Sequence, residues 1–140
     1  MNTAFSNGLD FGQVLADTLT GDANFRYDLS VWIGHRSELL GPLPSYTVRL
    51  LAGTTVLNSV TSPFDPALGK FGQVNLSYLT TGLEADIGSA LSIELINNGG
   101  IQLNYDEVEL ALNSIPEPST WALMGGGLLG LAWIRKRRPL

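Results

Sequence analysis

Hydrophobic and polar residues alternate strictly along one early stretch of the chain. Phe25, Tyr27, Leu29, Val31 and Ile33 fall on one side, and Arg26, Asp28, Ser30 and Trp32 on the other. Residues two apart share a face only in extended chain, so the run predicts a half-buried β-strand. The same period returns in Tyr46, Val48 and Leu50, in Val74, Leu76 and Tyr78, and in Leu91, Ile93 and Leu95. Turn chemistry separates the runs: Gly41-Pro42-Leu43-Pro44, Ala52-Gly53-Thr54, Pro63-Phe64-Asp65-Pro66, Thr81-Gly82 and Asn97-Asn98-Gly99-Gly100. The last run changes phase, with Ile101, Leu103 and Tyr105 on odd positions but Val108, Leu110 and Leu112 on even ones. A β-bulge at Asp106 and Glu107 would keep both halves turned to the core. With no 3.6-residue period before the tail, residues 1–113 read as an all-β antiparallel sandwich of about seven strands, most simply a jelly roll.

Residues 114–140 follow a different rule. Pro116-Glu117-Pro118 precedes an unbroken apolar run from Trp121 to Ile134, and Arg135-Lys136-Arg137-Arg138 closes it. A helix over that run would be about 21 Å long, against about 30 Å of bilayer hydrocarbon. Trp121 and Trp133 suit the two interfaces, and the basic stems can snorkel, so a helix over 119–134 spans only marginally. Gly125, Gly126, Gly127 and Gly130 weaken it by about 1 kcal/mol each relative to alanine. Gly126 and Gly130 also leave the small-xxx-small face that admits a second membrane helix. Positive residues stay cytoplasmic, which puts residues 1–115 on the opposite side of the membrane.

The order Ile115-Pro116-Glu117-Pro118, short apolar helix and basic tip through Arg138 resembles the PEP-CTERM sorting signal of Gram-negative bacteria. That tail is also described as an ice-binding protein C-terminal domain, a label that carries no ice binding with it. The resemblance implies an exosortase-type membrane protease as partner, cleavage near Pro116 to Pro118, and delivery from the inner membrane to the cell surface or extracellular polysaccharide matrix. Both prolines fix φ and Pro118 disfavours helix before it, which keeps the motif extended, with Glu117 a recognition residue. An uncleaved single-pass membrane protein is the alternative.

Residues Gln13 to Leu112 resemble the jelly-roll domains, related to carbohydrate-binding modules, that precede such tails. The matching pieces include Tyr27-Asp28-Leu29-Ser30-Val31, Gly34-His35-Arg36, Tyr46 to Gly53, and Tyr105-Asp106-Glu107-Val108-Glu109-Leu110. The family has further strands before Gln13, so the sandwich is expected to lack its first strands and to carry an open, self-associating edge. It also has an acidic or small residue where this chain has Trp32. Met1 to Asp22 contains no basic n-region and no apolar h-region, so translation is expected to begin upstream of Met1.

Composition narrows the function classes. There is no cysteine, hence no disulfide framework and no thiol nucleophile. Removing Glu117 and the four tail bases from 13 acidic and 8 basic residues leaves 12 and 4, a body balance of −8. Such a body has little with which to neutralise phosphates, which argues against nucleic acid. With a single histidine and no nucleophile-elbow, phosphate-loop or metal-spaced motif, the body reads as non-catalytic and without a required cofactor. Glu84 with Asp86, and Glu107 with Glu109, read as solvated carboxylates rather than a glycosidase pair.

Two groups remain as candidate sites. Trp32, His35 and Arg36 could form a ligand face, the indole stacking on a sugar ring and the other two bonding its hydroxyls. Related sugar-binding modules place an aspartate of a structural calcium site at the Asp106 position, making Asp106 a weak metal candidate. Calcium needs six to eight oxygens, and the early strands that would complete such a site are expected to be missing. The plainer expectation is a bulge whose Asp106 carboxylate accepts backbone N–H groups.

Overall fold

The computed structural model describes residues 4–7, 10–38, 41–99 and 102–116. Along them run β1 (Ala4–Asn7), β2 (Phe11–Thr18), β3 (Phe25–Gly34), β4 (Tyr46–Ala52), β5 (Thr55–Thr61), β6 (Phe71–Leu79), β7 (Ala90–Asn97) and β8 (Gln102–Ser114). No helix occurs among the described residues; the helix expected over 119–134 lies outside them. Hydrogen bonding orders one sheet β1-β8-β3-β6 and the other β2-β7-β4-β5. All neighbours are antiparallel. Only β4 and β5 form a hairpin within one sheet, closed by Gly53 at φ 57°. Every other connection crosses between sheets, the eight-strand order of a jelly roll. A strand before Gln13, expected to be missing, is present: β1 takes the edge place beside β8, although it follows β8 only from Gln102 to Tyr105, and β2 takes the edge place beside β7.

The alternating runs supply the core. Tyr27, Leu29, Val31 and Ile33 of β3 are buried against Val48 and Leu50 of β4, Leu91 and Ile93 of β7, and Leu103 and Tyr105 of β8. Each buried aliphatic side chain contributes about 1.5–3 kcal/mol, and the inner faces of the two sheets interdigitate here.

The predicted bulge is present. Ser30 pairs with Glu109 and Trp32 with Asp106, so Glu107 and Val108 share the place opposite Val31. Glu107 takes φ 43°, and its N–H donates to Asp106 Oδ1 at 2.9 Å. Beyond the bulge, Leu110 and Leu112 lie opposite the core residues Leu29 and Tyr27. Leu110 packs on the core, whereas Val108 and Leu112 stay 42% and 40% exposed, since among the described residues β1 pairs with β8 only from Gln102 to Tyr105.

One end of the sandwich is made by the 18–24 segment, the 80–89 loop and the C-terminus of β8. The Ile115 N–H donates to Asn24 O, Asn24 N–H to Thr80 O, and Gly88 N–H to Leu19 O. Glu84, expected to be merely solvated, is the clamp of this end. Its carboxylate accepts the N–H and hydroxyl of Thr81, the N–H of Gly82 at 3.0 Å and the Tyr78 hydroxyl at 3.3 Å. The Thr81 N–H foremost, then its own N–H, the Thr81 hydroxyl and Gly82 N–H, hold the Glu84 carboxyl down at about 2 against an ordinary 4.5. The folded pKa is depressed, so this stabilisation is complete above about pH 4.5 and is lost as pH falls through about 2. In Glu84→Gln, melting temperature between pH 5 and pH 2 should fall less steeply than in the parent; equal slopes would refute the clamp.

Candidate functional site

The open side of the sandwich lies between the edge of one sheet and the bulge of the other. Phe11 pairs with Leu95 and Gln13 with Ile93 across β2 and β7, while β8 contributes Tyr105, Asp106, Glu107 and Val108. Together with Gly12 these residues line a cleft of about 290 Å³. The Phe11 ring meets the Tyr105 ring edge-on, with centroids 5.9 Å apart at 85°. Such a T-shaped pair holds each aromatic in place beyond the area it buries.

Tyr105 carries the chemistry of this cleft. Its side chain is 1% exposed, yet its hydroxyl is the one buried side-chain polar atom with no hydrogen-bond partner among the described residues. Burial foremost, with the Asp10 carboxylate and Tyr46 adding to it, raises its pKa well above the ordinary phenol value. The hydroxyl is therefore a protonated donor in apolar surroundings, where an unmade hydrogen bond costs about 1–3 kcal/mol. Asp106 and Glu107, at the bulge, also line the cleft.

A second hollow of about 290 Å³ lies across β8 from the first and shares its bulge. Trp32, Phe71, Asp106 and Glu107 line it. Phe71 lies directly over Gly34, where an added Cβ would sit 2.4 Å from the ring. Among the candidate face residues, Trp32 is half-buried in this hollow, but its lining does not include His35 or Arg36. His35 is 6% exposed, and its Nδ1–H donates to Pro66 O at 3.0 Å with Asp65 at 3.5 Å. Arg36 is exposed and engaged by Glu38 at 2.6 Å and Gln102 at 2.6 Å. Asp106 accepts the Glu107 N–H at 2.9 Å, and no group of three or more acidic, His or Cys side chains able to hold a metal occurs among the described residues.

Pro116 is exposed directly after β8. Glu117, Pro118, Trp121, Gly126, Gly130, Trp133 and the Arg135 to Arg138 cluster lie outside the described residues. The cleft itself escaped sequence reasoning. Phe11 sits on a strand of exposed residues, and its distance from Tyr105 along the chain leaves no spacing to detect.

Comparison with known proteins bears on both halves of the chain. Residues 114–138 match the PEP-CTERM protein-sorting motif, as the resemblance implied. Residues 1–111 match the HpiC1 cyclase family model. No curated protein matches the chain. Among solved structures, the Stig cyclase Fisc from Fischerella sp. TAU, in complex with (3Z)-3-(1-methyl-2-pyrrolidinylidene)-3H-indole, is 27% identical with a TM-score of 0.67. The match covers 75% of this chain and 56% of that one. A cyclase from Fischerella sp. TAU in complex with 4-(1H-Indol-3-yl)butan-2-one is likewise 27% identical at TM-score 0.67, over 76% of this chain and 57% of that one. The chain thus spans little more than half the length of these cyclases. A family 16 carbohydrate-binding module matches at 15% identity and TM-score 0.43, over 76% of this chain and 72% of that one, too weakly to bear on function.

The expectation of a non-catalytic body is overturned by the cyclase matches. An apolar cleft lined by aromatic side chains carries no thiol, phosphate loop or metal-spaced motif, so nothing in the residue pattern marks it. Through residues 1–111, which carry that cleft ahead of the sorting motif, the chain belongs to the HpiC1-like cyclase family.

Proposed function

We propose that the body is a cyclase-type small-molecule domain that is exported by its sorting tail and works at the cell surface or in the extracellular matrix. The observation that carries the first half is the cleft lined by Phe11 and Tyr105, whose phenol hydroxyl is buried and has no hydrogen-bond partner among the described residues. A flat apolar ligand packs against Phe11, Ile93 and Leu95 and places a carbonyl or imine-type acceptor on the Tyr105 O–H. Desolvation strengthens that bond, and Asp106 and Glu107 are within the same cleft to exchange protons with the bound molecule. The heteroaromatic ligands of the related cyclases, each with a polar atom beside an indole-type ring, support this reading.

Titration of the whole chain with 4-(1H-Indol-3-yl)butan-2-one tests it. Tyr105→Phe should weaken binding roughly tenfold, as expected for one desolvated hydrogen bond. Its melting temperature should hold or rise, because the variant removes a buried polar group that has no partner among the described residues. Undiminished affinity in Tyr105→Phe would overturn the assignment.

The second half is delivery. The tail inserts in the inner membrane with the body on the periplasmic side, an exosortase-type protease cuts near Pro116 to Pro118, and the body is released to the surface or matrix. The sorting-motif match supports this reading. A second reading of the body, sugar recognition, is favoured by the aromatic and acidic hollow of Trp32, Phe71, Asp106 and Glu107. Retention of the chain in a polysaccharide affinity gel, lost in Trp32→Ala, would support it.

A further inference from the structure

Large exposed hydrophobic residues gather at the end of the sandwich from which the tail departs. Leu83 is 89% exposed, Leu79 48%, Ile87 44%, Leu112 40% and Ile115 38%. Leu83, Ile87 and Ile115 lie on adjoining segments of this end: an added Cβ at Gly21 would sit 3.3 Å from Ile87 and one at Gly82 3.1 Å from Gly21 O, and the Ile115 N–H donates to Asn24 O, while Leu79 and Leu112 flank them on opposite faces of the β3 sheet. The acidic groups of the same end are partly engaged in its own turns. Glu84 is clamped by Thr81 and Gly82, and Asp22 by Thr20 at 3.2 Å.

The apolar run of the tail starts at Trp121, six residues beyond Ile115. Six extended residues reach about 20–22 Å at most. Once Trp121 sits at the interface, this end of the body cannot stand farther than that from the headgroups. Isolated exposed leucines need no partner, but a cluster tethered this close to lipid meets a surface on which to bury them.

We infer that the Leu83–Ile87–Ile115 end is a membrane-facing surface: while the tail is inserted, the 80–89 loop rests its apolar side chains in the headgroup region. The occupant is the phospholipid bilayer itself, and the contact lasts only until the tail is cut. It holds the Pro116–Pro118 segment at the membrane surface, where a membrane-embedded protease must reach it. This rests on the delivery reading above, since an uninserted tail brings no lipid near.

The chain has no cysteine, so single labels can be placed cleanly. The whole chain, as Leu83→Cys, Leu68→Cys or Ala122→Cys carrying an environment-sensitive fluorophore, is reconstituted in phosphatidylcholine vesicles containing headgroup-proximal nitroxide lipids. Leu68 is 44% exposed beside Gly69, whose N–H donates to His35 O at the opposite end, which makes it the control. The label at 83 should shift to the blue and be quenched, that at 122 likewise, and that at 68 should match free solution. A quenched 122 with 83 as solvated as 68 overturns the inference alone. Equal quenching at 83 and 68 also overturns it, because the body then has no preferred end. An unquenched 122 overturns the delivery reading, and the inference falls with it.

Discussion

Tyr27→Ala should destabilise the body by about 3–5 kcal/mol, the range for deleting a buried aromatic, out of a total of about 5–15 kcal/mol for a domain of this kind. Tyr27 is fully buried on β3, which is central to its sheet and pairs with β6 through Tyr78 and with β8 through Leu112. Its hydroxyl accepts the Thr20 N–H at 2.9 Å and donates to Thr18 O at 3.4 Å, which ties the crossing between the sheets to the core. Tyr27→Phe keeps the ring and loses those bonds, so it should lose only about 1 kcal/mol. Denaturant midpoints at constant slope separate the two. A loss under about 1 kcal/mol for Tyr27→Ala would mean that β3 is not where the sheet is held.

The second large effect concerns processing. With Pro116, Glu117 and Pro118 all replaced by alanine, the chain should accumulate in the membrane fraction at full mass, and the released form should all but disappear. Alanines restore helical freedom that two prolines restrict, and they remove the carboxylate proposed for recognition. C-terminal mass spectrometry of the parent and the variant from native cells is decisive. Mature parent protein should end before Trp121; a parent peptide running intact through Arg138 would instead establish the uncleaved single-pass alternative.

How much of this could be read from residues alone follows from where the energy lies. Phe25 to Ile33 alternates because one face is buried along its length, and the structure buries Tyr27, Leu29, Val31 and Ile33 as the pattern requires. The bulge was legible because a hydrophobic run cannot change parity without an extra residue, and Glu107 supplies it. Of the edge strands, β6 was legible from Val74, Leu76 and Tyr78, but β2 and β5 were not. β2 is exposed along nearly its whole length and β5 along much of it, so little burial pattern marks them, and their existence rests on hydrogen bonds to β7 and β4. The two hollows depend on pairings remote in sequence: Tyr105 meets Phe11 from the facing sheet, and Trp32 meets Phe71 from β6. His35 next to Trp32 suggested a shared face by proximity, whereas it follows the strand end into the Pro66 loop. Glu84 gave no hint because its partners are backbone N–H groups, which no residue pattern records.

The position of β8 sets the timing of folding. It lies between β1 and β3 and ends at Ser114, where the sorting motif begins. Ala4 pairs with Tyr105, so one sheet cannot zip until nearly all of the polypeptide preceding the tail has come through. Closing so long a loop is entropically unfavourable and slow. If the chain is exported as proposed, threaded N-terminus first through a translocation channel, the sandwich would stay open until its final strand emerges, as the hydrophobic tail reaches the membrane. Maturation of the body and arrival of the anchor would then be a single event, and a chain stalled short of β8 would have no closed sandwich to release.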